Sequence, residues 1–225
     1  MIFLRRIYIW CKRVRHRRGY GVHSPFAFGL ITDVVYEHNP YYAYQELKEL
    51  RHLARKSLMY PERVDRLLFR LVNRFSPQRI VEVGTGAGVS LCYLAKGKAS
   101  AQCVSFSGED ASGVLEEMVD QCKNATIVKG PLIDALRKEL SVIPKVDFLH
   151  IAHTQNFSQV WEEFFPYVTE KTVVVIEGIH EAKSKSAWWK KIVEDERTGI
   201  TFDLYDLGIV FFDHTMNKQH YIVNF

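Results

Sequence analysis

The 225-residue sequence has no apolar run near the ~18 residues that a membrane-spanning helix needs, which argues against a helical span. It is poor in cysteine. Cys11, Cys92, Cys103 and Cys122 form no CxxC pair and no zinc-like spacing, so they read as free thiols of a reducing compartment rather than a secreted disulfide scaffold. It has no internal repeat and no low-complexity stretch. It also has no acid before residue 33, although seven basic side chains precede that point (Arg5, Arg6, Lys12, Arg13, Arg15, Arg17 and Arg18). The remaining 23 basic residues face 26 acidic ones, so the formal net charge of +4 belongs to the N-terminal arm alone. The short apolar stretch at residues 2–4 is cut at once by Arg5-Arg6, unlike a secretory leader. The expected location is cytoplasmic. What is present is a chain 47% hydrophobic and 25% charged, enough for a full core and suited to one domain with an extension.

Phe3, Ile7, Trp10 and Val14 recur at helical spacing among Arg and Lys, predicting a basic amphipathic helix over residues 2–14. Gly19-Tyr20-Gly21 breaks it, and Ser24-Pro25 marks a turn or a helix start. Residues 27–37 and 43–59 suit two further helices, the second with Leu47, Leu50 and Leu53 on one face. Pro61 suits the start of another, with Val64, Leu67, Leu68, Leu71, Val72 and Phe75 forming its apolar face. Residues 1–60 thus read as a helical extension or lid and 61–225 as the main domain. From residue 79 onward, apolar β-rich runs at 79–83, 103–106, 125–128, 146–151 and 172–176 alternate with helix-length segments. That alternation predicts an α/β fold with a mostly parallel sheet. Runs at 200–204 and 208–212, separated by Tyr205-Asp206-Leu207, predict a closing antiparallel hairpin. Residues 221–225 suit one more edge strand.

The most informative stretch is Glu82-Val83-Gly84-Thr85-Gly86-Ala87-Gly88-Val89-Ser90. A buried strand runs into three alternating glycines, and a helix begins. Gly84 and Gly86 permit positive φ and let a ligand touch the backbone. Gly88 lets the helix pack close, and the helix start offers free amides to an anion. The dinucleotide loop G-x-G-x-x-G needs its third glycine one place later, and the Gly-Lys-Ser/Thr ending of a P-loop is absent.

With the acid at Glu82, this loop resembles that of the class I S-adenosylmethionine (SAM)-dependent methyltransferases, nearest the small catechol O-methyltransferase-like group. The resemblance spans about residues 60–213. It implies a Rossmann-like fold with a seven-stranded, mostly parallel sheet ending in an antiparallel hairpin. It implies SAM as cofactor and a small-molecule methyl acceptor. It carries Gly84, Thr85, Gly86 and Gly88 over as cofactor-binding, with Glu82 directed to the methionine amine. Ser107 stands where the family places a ribose-binding acid, and Glu109 or Asp110 is the substitute. Lys129-Gly130-Pro131 offers no acid for adenine. Metal-dependent members carry acids where this chain has Ala152 and Gly178, so no metal is expected. His180 and His153 follow the fifth and fourth strands, where ligands sit in open α/β sheets, and each is a candidate general base. The missing acids leave a second class open, a catalytically degenerate binding or scaffold protein. For the basic arm, residues 1–18, three readings remain: contact with an anionic membrane, contact with nucleic acid, or a solvated helix packed on the domain.

Overall fold

The computed structural model describes residues 8–58, 60–108, 119–152 and 154–225. After a helical turn at residues 8–12, the helix α1 (Pro25–Leu30) starts where Ser24 accepts a hydrogen bond from the Ala27 amide and Pro25 fills the first position. A π-helical turn, Ile31–Val35, continues it. The helices α2 (Ala43–Leu53) and α3 (Glu62–Phe75) follow, the latter entered through Pro61 and left through a left-handed Ser76. Then come β1 (Arg79–Val83), α4 (Val89–Gly97), β2 (Gln102–Ser107), β3 (Ala125–Lys129), α5 (Leu132–Leu140) and β4 (Phe148–Ile151). The chain closes with α6 (Phe157–Phe164), β5 (Val173–Glu177), α7 (Lys183–Glu194), β6 (Thr201–Asp203), β7 (Leu207–Phe211) and β8 (His220–Ile222).

The strands form one sheet in the order β3-β2-β1-β4-β5-β7-β6-β8. The first five are parallel, β7 runs antiparallel to β5 and β6 antiparallel to β7. The seven expected strands are joined by an eighth, the edge strand β8, parallel to β6. It begins at His220, one residue before the expected run. The strand β4 is shorter than its apolar run, because Asp147 turns its carboxylate to the backbone amides of Gln78 and Arg79 and holds the start of β1 instead.

Strand alternation divides the core in two. Ile80, Cys103, Phe148, Val173 and Val175 face one side, where α1 to α4 cover them. Val81, Val83, Leu149, Ile151, Val174 and Ile176 face the other, under α5, α6 and α7. The apolar face of α3 (Val64, Leu67, Leu68, Leu71, Val72) is fully buried, each side chain contributing roughly 1.5–3 kcal/mol. The helices at residues 25–53 therefore share a core with the sheet. Arg70 of α3 fastens them, donating to the carbonyls of Val34 and Val35 at the end of the π turn. Cys92, Cys103 and Cys122 are buried, and none of them is in a disulfide.

Candidate active site

The strand order reverses direction between β1 and β4, so the loops that leave their C-terminal ends part and open a crevice where such sheets hold ligands. The loop after β1 lies there. Gly84, Gly86 and Gly88 have φ of 96°, 53° and 82°, a region that side chains disfavour. A Cβ at Gly86 would meet nothing within 4 Å, so the loop presents bare backbone to open space. Gly88 caps α4 without any side-chain bond, leaving first-turn amides at Val89 and Ser90 beside the crevice. The cavity measures about 170 Å³ and is lined by the loop, Ala152, Glu177, Tyr60, Arg51 and Asp65. The ion pair of Arg51 with Asp65, and a bond from Arg51 to the Tyr60 carbonyl, fix its roof. The Tyr60 hydroxyl closes over Gly178, where an added Cβ would lie 2.8 Å from it.

Beneath the loop runs a row of polar side chains on one face of four adjacent strands. Thr85 Oγ1 lies 2.6 Å from Ser105 Oγ of β2, and Ser105 Oγ lies 2.6 Å from Glu82 Oε2 of β1. His150 Nδ1 of β4 lies 2.9 Å from Glu82 Oε1, and its Nε2 lies 3.3 Å from Glu177 Oε1 of β5, close but not aligned for a hydrogen bond. Strand register sets the row, since Glu82 pairs with Ser105 on one side and His150 on the other. Burial alone would lower the His150 pKa, but the carboxylates of Glu177 and Glu82 outweigh it and raise it to about 9. The imidazolium between two carboxylates leaves the cluster one net negative charge, and Glu177 brings that charge to the cavity.

The structure brings Gly84, Thr85, Gly86, Gly88 and Glu82 together, with Glu82 turned into the sheet and both oxygens engaged. Ser107 ends β2, nearly buried, and its carbonyl accepts from the Gly130 amide. Glu109, Asp110 and His153 lie outside the described residues. His180 does not line this cavity. Its Nε2 lies 2.6 Å from Asp203 Oδ2, and its ring stacks on Tyr205. Arg13 Nη1 donates to Asp203 Oδ1 at 2.8 Å, so this second cluster ties the N-terminal arm to the end of β6. Burial opposes ionisation of Asp203, but its bonds to His180 and Arg13 hold its carboxyl well below the usual carboxylate range. Phe26 packs edge-on against Phe211 and anchors α1. Trp189 packs over Gly208, while Trp188 lies on Phe157 and Trp161 away from the cavity. Sequence reasoning missed Glu177 and His150. Their one signal was a charged or titratable residue inside an otherwise apolar buried strand.

No protein-family model and no curated protein matches the chain. Solved structures do. An O-methyltransferase from Bacillus cereus in complex with SAH superposes with a TM-score of 0.61 at 17% identity, covering 80% of this chain and 94% of that one. The O-methyltransferase TomG from Streptomyces achromogenes, in complex with SAM, gives 0.61 at 13% identity, covering 77% and 91%. The SAH-bound methyltransferase PaMTH1 of Podospora anserina gives 0.61 at 12%, covering 78% and 98%. The fold of this chain, a mostly parallel sheet with antiparallel C-terminal strands, is the Rossmann-like fold of class I methyltransferases.

Proposed function

We propose that the chain is a SAM-dependent methyltransferase that acts on a hydroxyl of a small molecule without a metal. The observation that carries this reading is the positive-φ backbone of Gly84, Gly86 and Gly88 at the crevice between β1 and β4, with Gly86 facing open space. That cradle suits the amino-acid end of SAM. The α4 amides take the carboxylate, Ser107 at the end of β2 stands toward the ribose, and the cluster around Glu82 supplies negative charge for the ammonium. When bound, SAM supplies a methyl carbon already activated toward displacement by its sulfonium. The chain's own residues then hold the acceptor oxygen in line and take its proton.

The base role falls to Glu177 rather than His180. Glu177 reaches the cavity beside Ala152, and His150 aims it. The methyl group of Ala152 offers no ligand to a cation, whereas a hard cation takes six or more oxygens. The proposed setting is cytoplasmic.

Calorimetry with SAM and with its demethylated product tests the cofactor. Micromolar binding is expected. Gly86→Val should weaken it at least a hundredfold, because a β-branched side chain is strained at this φ and points into the cradle. Unchanged affinity in that variant places the cofactor elsewhere.

A further inference from the structure

Residues 8–20 carry Lys12, Arg13, Arg15, Arg17 and Arg18 with no acid among them. Arg13 is spent on Asp203, and among the described residues no carboxylate pairs with the other four. The same segment exposes Tyr8, Trp10, Val14 and Tyr20, with Trp10 at 47% and Tyr20 at 81%. These are four of the nine large apolar side chains exposed among the described residues. The segment is held to the body. The Asn224 side chain donates to the Trp10 carbonyl, the Asn224 amide donates to the His16 carbonyl, and Arg13 binds Asp203. A fixed surface that mixes exposed aromatics with unpaired cations is what an anionic bilayer interface attracts.

We propose that residues 8–20 form a docking surface for anionic membranes. The mix of exposed apolar side chains, Val14 among them, with cations on one segment favours lipid over nucleic acid. Lys12 Nζ lies 4.9 Å over the Tyr8 ring and the Arg17 guanidinium 5.4 Å over the Trp10 ring. Each ring has one cation on one face and stays largely exposed, with Tyr8 at 59%, so it is free to enter a headgroup layer beside cations that meet lipid phosphates. This surface is independent of the methyl-transfer reading.

The test is co-sedimentation of the full chain with vesicles of phosphatidylcholine, with and without phosphatidylglycerol, at physiological ionic strength. Binding is expected only when phosphatidylglycerol is present. Replacing Lys12, Arg15 and Arg17 together by Gln should weaken it about a hundredfold, at roughly fivefold per near-surface charge. Brominated acyl chains should quench tryptophan emission in the native chain and not in Trp10→Phe. All three cations are exposed, so an unchanged melting temperature in the triple variant shows that the fold is intact. Equal binding to neutral vesicles, no binding to either, or undiminished binding by the triple variant overturns the proposal. So does charge-dependent retention of single-stranded RNA with no vesicle binding, which assigns the surface to nucleic acid.

Discussion

One histidine lies within β4 and another just after β5, and each lies against a buried carboxylate. His150 is wholly enclosed between Glu82 and Glu177 on neighbouring strands, and the cluster ends in a cavity. His180 is 27% exposed, shares Asp203 with Arg13, and ends at the N-terminal arm. The residue types nearly match, but the neighbours differ. In the first cluster one cation faces two anions, so negative charge remains to act on a ligand. In the second, Asp203 is bonded to a histidine and an arginine together, and the cluster serves to fasten chain to chain. An acid–histidine pair becomes chemistry or scaffolding according to what the acid touches next.

The contrast breaks most sharply at Glu177. Glu177→Gln should lower methyl transfer from labelled SAM to phenolic acceptors by a hundred- to ten-thousandfold, a larger loss than its effect on SAM affinity. Equal turnover would remove Glu177 from the reaction. Next comes His150→Phe, which leaves two enclosed carboxylates without their cation and should cost about 3–5 kcal/mol in urea unfolding. The native chain should also lose stability as pH rises from about 6.5 to about 9. The folded state binds a proton on His150 that the unfolded chain has released, worth about 3 kcal/mol across that window. The variant should lack this slope.

A smaller effect is expected at the second cluster. Asp203→Asn should cost about 2 kcal/mol, since two charge-assisted bonds go. The native chain should lose that contribution as pH falls below 3.8, the ordinary aspartate value, because the folded carboxyl resists protonation. Smallest is His180→Gln, expected under about 1 kcal/mol by thermal melting with SAM affinity unchanged. A large loss of SAM affinity there would erase the distinction between the two clusters.

The glycine loop was legible because its signal is local: Arg79–Val83, three glycines and the α4 start occupy consecutive positions. The apolar face of α3 was legible for the same reason, through its helical period. The polar row was not. Glu82, Ser105, His150 and Glu177 lie on four different strands, and only the order β2-β1-β4-β5 makes them neighbours. Histidines after strands drew attention, whereas the one that mattered sat inside a strand that read as apolar. The expected strand at 221–225 starts one residue earlier, because its pairing with β6 is set by Thr201, whose partner is His220.

The clamp of Arg13, Asp203 and His180 has a consequence for how the molecule meets its acceptor. His180 follows Glu177 by three residues, so the arm and the cavity belong to one rigid rim. If the arm docks on a bilayer as proposed, the cavity is carried to that surface, and an acceptor dissolved there reaches it by diffusion in two dimensions.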